Sequence, residues 1–108
     1  MIEKIYDYKI HDEKEIEKII DDEYAQINHM TLTKDTGLPI HQSNSNIYMI
    51  LIRGKMTIEL EDQEAQEYTK GKIINIPNDT KMNVRNLQDE VLEFFVVKAP
   101  HPRELKKD

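Results

Sequence analysis

The chain has 108 residues, 15 Lys and Arg against 21 Asp and Glu, a formal charge of -6 and no cysteine. That length suits one domain that hides roughly two-thirds of its unfolded surface. The lack of cysteine removes disulfides, thiolate metal sites and cysteine nucleophiles, and basic residues scattered under a net negative charge argue against nucleic acid or anionic membrane as the main partner.

The N-terminus, Met-Ile-Glu-Lys-Ile-Tyr-Asp, is charged and has no apolar h-region. No run approaches the roughly 18 to 20 apolar residues that span a bilayer, so a cytoplasmic protein is expected. One domain over 1–108 is expected, with a lead-in at 1–22, a barrel at 23–98 and a tail at 99–108.

In the lead-in, the alternation of Tyr6, Tyr8 and Ile10 predicts a short edge strand within residues 2–10. Asp12 followed by Glu15 resembles a capping box, and Ile16, Ile19 and Ile20 then share one side of a helix predicted over 13–21. His11, just before that cap, reads as a solvated residue.

Beyond Asp22 the apolar period changes to two and stays there. Strands are predicted over 24–33, 47–53, 55–60, 64–70, 72–76, 80–86 and 90–98, each rich in Ile, Val, Thr, Tyr or Phe. Turn signals stand between them: Asp35-Thr36-Gly37, Arg53-Gly54, Glu61-Asp62-Gln63, Lys70-Gly71, Pro77-Asn78-Asp79 and Leu87-Gln88-Asp89. Many short strands so regularly spaced predict an all-β sandwich or barrel. The strands at 47–52 and 91–97 are apolar on both faces, which calls for a cover over the outer one. A second subunit is the expected cover and the protein is therefore predicted to be a homodimer, with the N-terminal segment as the alternative.

From His41 to Gly54 the sequence resembles the first cupin motif, Gly-x(5)-His-x-His-x(3,4)-Glu-x(6)-Gly. From Gly71 to Asn86 it resembles the second, Gly-x(5)-Pro-x-Gly-x(2)-His-x(3)-Asn. His41, Gly54, Gly71, Pro77 and Asn86 fall on motif positions. The resemblance implies a double-stranded β-helix, or jelly-roll, barrel that is commonly dimeric. Asp35 and Asp79 stand where the motifs have glycine, and Asp is among the few residues that tolerate a left-handed turn.

The ligand positions depart further. Metal-binding cupins hold their ion with two His and a Glu from the first motif and a His from the second; here those positions read His41, Ser43, Ile47 and Met82. One imidazole does not replace the water shell of a divalent ion, so neither metal nor cofactor is expected. If the ligand positions face inward, side-chain parity adds Met49 and Leu51 from one strand and Val84 and Asn86 from another. A ligand-binding set of His41, Ser43, Ile47, Met49 and Met82 follows, suited to a small, partly apolar molecule or equally to a barrel that has filled itself in.

For His41 two readings stand: a pocket contact, or a histidine hydrogen-bonded near the barrel mouth. Asn86 reads as a residue that satisfies backbone groups. His29 is the one substitute ligand, able to approach His41 if its face of the strand points inward; a half-exposed strand histidine is the plainer reading, since no nearby Glu or Asp completes a set. Glu93, alone in the apolar run from Val91 to Val97, is either an acid forced inward or, more simply, a carboxylate that marks the solvent side of an edge or pairs across the sheet. His101, between two prolines, is assigned no role, and the tail from Arg103 is expected to be solvated.

No residue is assigned to catalysis, and whether the protein is an enzyme stays open. The sequence favours a cupin-like barrel without the usual metal site, either binding a small, partly apolar molecule or non-catalytic. A metal-dependent oxygenase or isomerase with a site rebuilt around His41 and His29 is the alternative. An interaction module that works through its apolar outer face is a third reading.

Overall fold

The computed structural model describes residues 1–105. Ten strands run in chain order: β1 (Glu15–Asp21), β2 (Gln26–Leu32), β3 (Thr36–Gly37), β4 (His41–Gln42), β5 (Ile47–Arg53), β6 (Lys55–Leu60), β7 (Gln66–Thr69), β8 (Ile73–Ile76), β9 (Lys81–Asn86) and β10 (Leu92–Lys98). One 3-10 turn, Pro102–Leu105, follows. The first sheet has the order β1-β2-β10-β5-β8; in the second the order is β3-β9-β6-β7, with β4 also pairing with β9. Every strand pair is antiparallel. This is the double-sheet barrel that period-two patterning predicts.

Alternation sends one side of each strand into the space between the sheets. Met30 and Leu32 of β2, Ile47, Met49 and Leu51 of β5, and Leu92, Phe94 and Val96 of β10 meet Met56, Ile58, Met82 and Val84 of the second sheet in one buried cluster. Burying a large apolar side chain stabilises by about 1.5–3 kcal/mol, so this cluster dominates the stability.

The turns behave as their residues require. Asp35 and Asp79 both have φ of 60°, the left-handed conformation that the family's glycines would otherwise supply. Gly54 has no such substitute: at φ 84° a Cβ there would lie 2.4 Å from the Val91 carbonyl oxygen. The turn between β5 and β6 therefore packs backbone on backbone against the start of β10.

The lead-in differs from expectation. No helix forms over 13–21; residues 15–21 are β1, hydrogen-bonded along β2 with a bulge between Lys18 and Ile20. Its three isoleucines are β-branched and fit a pleated surface, and pairing with β2 outweighs the local capping signal. Residues 2–10 form no strand either. They make an arm that reaches the sheet through side chains and through the Lys9 amide, which donates to Glu17 Oε1 at 3.2 Å. His101, assigned no role from the sequence, is buried and pairs through Nε2 with Asp21 of β1; residues 106–108 of the expected tail lie outside the described residues.

β1 overhangs the barrel. Ile16 stands opposite Met30, so it shares Met30's inward side, yet it is 46% exposed. The second sheet does not reach beneath this edge strand.

Candidate functional site

The family's ligand positions are brought together by the fold. His41 of β4 stands directly opposite Met82 of β9, and Ile47 opens β5. Their chemistry does not fit a metal. The His41 ring is exposed and its Nδ1 is engaged with the Pro39 carbonyl at 2.7 Å. Ile47, Met49 and Met82 are at most 2% exposed and belong to the packed core.

Ser43 has taken over a mechanical part of the site. Its hydroxyl donates to the Pro77 carbonyl at 2.7 Å and accepts from the Thr80 amide at 2.8 Å. Its backbone adds bonds to Thr80 and Asp79. Where the metal-binding cupins that this sequence resembles place ligands from both motifs on an ion, here the buried Ser43 hydroxyl ties the two motif segments in addition to their backbone pairing. Asn86 performs as expected: its Nδ2 donates to the Leu32 and Glu90 carbonyls, and its Oδ1 accepts from the Gln88 amide, all at 2.9 Å.

Among the described residues no group of three or more His, Asp or Glu side chains is arranged to hold a metal ion. The described cavities lie at the surface. One of about 360 Å³ is bordered by Gly54, Lys55, Lys70 and Asp89. Another, of about 190 Å³, is bordered by Ile40, Glu59, Lys81 and Met82.

The most elaborate polar arrangement sits on the opposite side of the first sheet. β2 sends Met30 inward, so its neighbours His29 and Thr31 face outward. Cross-strand register then places Glu17 of β1 and Phe95 of β10 on either side of His29, and Glu93 of β10 beside Thr31. His29 is fully buried, with Nδ1 2.7 Å from Glu17 Oε1 and Nε2 2.7 Å from Glu93 Oε2. Each contact needs one proton and carboxylates only accept, so two protons are shared along this row. Nearby carboxylates thus exist, contrary to the expectation for His29, but they bind the imidazole instead of completing a metal set.

Arg53 of β5 extends the row. Its Nε lies 3.2 Å from Glu93 Oε1, while its terminal nitrogens donate to Asp12 Oδ1 and to the His11 carbonyl. Tyr8 closes the top, with its ring 4.7 Å from His29 and edge-on to Phe95 at 4.9 Å. For Glu17, partial burial is the largest single influence and pushes its carboxyl up. Hydrogen bonds from His29 and from the Lys9 amide, together with nearby positive charge, outweigh it and leave the group below the usual carboxylate range.

Thus Glu93 pairs across the sheet, and His29 points away from the barrel interior and from His41. The two histidines of the alternative metal site do not share a site. A single strand cannot show that Glu17 and Glu93 flank His29; the partners lie 12 and 64 residues away.

Around this row the outer face is apolar and partly bare. Tyr48 and Ile52 of β5 are each 40% exposed, and Ile73 of β8 is 66% exposed. The arm carries Ile2 and Ile10 almost wholly in solvent, and Ile5 is 70% exposed.

Comparison with known proteins decides the family. No family model matches the chain. A protein of Methanocaldococcus jannaschii is 46% identical over 106 residues, covering 97% of this chain and 91% of that relative. A crystal structure from that organism, described as an RmlC-like cupin family protein with a double-stranded β-helix fold, matches with a TM-score of 0.95 at 46% identity over 97% of both chains. The chain belongs to the RmlC-like cupin family. More distant cupins share the fold alone: an RmlC-like cupin protein from Desulfovibrio desulfuricans matches at 18% identity and TM-score 0.73, over 86% of this chain and 91% of that one. The cupin domain of Schizosaccharomyces pombe Cnp3 matches at 14% identity and TM-score 0.71, over 82% and 62%. No helix among the described residues is long and apolar enough to cross a membrane.

Proposed function

We propose that this cupin is a non-catalytic interaction module that works as a homodimer through the outer face of its first sheet. The observation that carries the reading is an inversion of the usual arrangement. The barrel interior is packed with Ile47, Met49, Met82 and Phe94, while large apolar side chains are left outside.

Two uncovered features occur on one chain: an arm whose isoleucines touch solvent, and a sheet face with Tyr48, Ile52 and Ile73 bare. A two-fold pair satisfies both at once, because each arm can lie on its partner's face and the interface is self-complementary. The buried row around His29 supports this reading by holding the root of the arm, residues 8–12, against the sheet. Binding of a small, partly apolar molecule is supported less well. The cleft beside Met82, at about 190 Å³, is smaller than the roughly 300–1,000 Å³ of ordinary ligand sites, and the cavity of about 360 Å³ at Gly54 is bordered by polar and charged residues instead of apolar ones.

Light scattering coupled to gel filtration tests the proposal. The wild-type protein is expected at dimer mass, with Ile52→Asp and Ile73→Asp shifted to monomer while their circular dichroism stays unchanged. A wild-type protein that is monomeric at micromolar concentration overturns the reading.

A further inference from the structure

The N-terminal arm is fastened to the first sheet without a strand ladder. Among the described residues no backbone-to-backbone hydrogen bond joins residues 1–12 to the rest of the chain. Its aromatic contact, Tyr8 against His29 and Phe95, is itself 43% exposed. What fastens the arm is charge. The Lys9 ammonium meets Glu15 Oε2 at 2.9 Å, the Lys9 amide donates to Glu17 Oε1 at 3.2 Å, His11 Nε2 stands 3.7 Å from Glu15 Oε1, and Asp12 Oδ1 accepts from Arg53 at 2.6 Å. Each of these contacts ends on a carboxylate; the Arg53 bond to the His11 carbonyl is the exception among them.

The seam is also incompletely paired. His11 Nε2, Thr31 Oγ1 and Arg53 Nε are buried without a hydrogen-bond partner among the described residues. Thr31 stands in register between Glu15 and Glu93, the carboxylates that His11 and Arg53 approach. Buried polar groups left unmatched cost free energy, so the closed arm holds by a small margin.

We propose that residues 8–12 form an acid-released strap: closed at neutral pH, it covers His29 and Phe95, and protonation of Asp12, Glu15 and Glu17 lets it lift. A protonated carboxyl no longer answers an ammonium or a guanidinium. Glu13, which acts on Lys9, and Glu93, beside His29, are lost as partners in the same way. Lys9 and Arg53 keep their charge, and the imidazoles of His11 and His29 offer them nothing to pair with. Glu17 gives the direction: its folded carboxyl lies below the ordinary value, so its contribution to the closed form is present above the unfolded value and is lost as pH falls through the lowered one. Release also widens the bare outer face, because Phe95 stands opposite Ile50 and shares the side of Tyr48 and Ile52. Acid control of the dimer face is a consequence that rests on the homodimer reading above; the strap itself belongs to one chain.

Nuclear Overhauser effects between the Tyr8 and Phe95 rings read the closed strap, and those between Phe94 and Leu51 read the core. The first set is expected at neutral pH and should disappear reversibly on acidification while the second persists. Glu15→Gln with Glu17→Gln should show the arm released at neutral pH with the core intact. Asp12→Asn, a change at a side chain 74% exposed, is the milder variant. Losing one exposed ion pair should give roughly two- to fivefold more released arm at any pH within the transition. Tyr8 effects that last until the Phe94 effects are lost too, or a release transition that Asp12→Asn leaves unmoved, would overturn the strap. Light scattering at each pH keeps the two readings apart: a monomer at neutral pH whose Tyr8 effects follow the expected course overturns the dimer and leaves the strap standing.

Discussion

His41 and His29 occupy opposite situations in the same barrel. His41 keeps the family's ligand position, opposite the second motif's ligand position, yet its ring is exposed and bonded only to a local carbonyl. His29 belongs to no motif, yet it is fully buried with a carboxylate on each nitrogen and an aromatic ring above. A motif position marks where metal-binding relatives in the family place a ligand, whereas burial with satisfied polar partners marks what this fold depends on. Replacing each histidine therefore separates the two regions.

The largest effect is expected at His29. His29→Ala leaves Glu17 and Glu93 facing each other's charge with side chains only 11% and 14% exposed. Leaving two largely buried carboxyl groups without their shared hydrogen-bond partner costs about 2–5 kcal/mol. Urea unfolding of the variant should show a loss in that range. A loss below about 1 kcal/mol would mean that water enters the row freely and that the contrast with His41 is only apparent.

Much of this region could not be read from the sequence, and the reason is physical. The seven longer strands between residues 26 and 98 were legible because side-chain alternation is a local property of the chain, whereas the two-residue strands β3 and β4 were not, being too short to show any period. The tolerated aspartates at 35 and 79 were legible too, since turn conformation depends on the residue itself. β1 was not: Asp12, Glu15 and the isoleucines carry a real helical signal that only pairing with β2 overrides. The row around His29 depends on which strands become neighbours, and no spacing within one strand encodes that. At the family's metal position the sequence showed that ligands were missing, but not that the Ser43 hydroxyl adds a tie between the motif segments.

A smaller effect, and one with a pH signature, is expected at Glu17. Its folded-state carboxyl lies below the ordinary value near 4.5. The stability it contributes is therefore fully present above the unfolded value and is lost as pH falls through the lowered folded value. Glu17→Gln should be less stable than the wild type at neutral pH, and the gap should narrow as the pH is taken down through the carboxylate range. Unfolding free energies measured across that range check the sign; a gap that widens on acidification would show that Glu17 is protonated in the native protein.

The smallest effect is expected at His41, and it completes the contrast. The ring is exposed and makes one hydrogen bond, to a carbonyl two residues back, so His41→Ala removes little packing. Surface substitutions of this kind usually stay within about 0.5 kcal/mol. Elemental analysis of untagged wild-type and variant protein adds a test that stability alone does not give. With Ser43 occupied by backbone partners and Ile47 and Met82 apolar, His41 has no companions among the described residues with which to hold an ion. The two preparations are expected to carry the same trace metal content. Near-stoichiometric metal in the wild type that disappears in His41→Ala would return the exposed histidine to a functional role and reverse the ranking of the two regions.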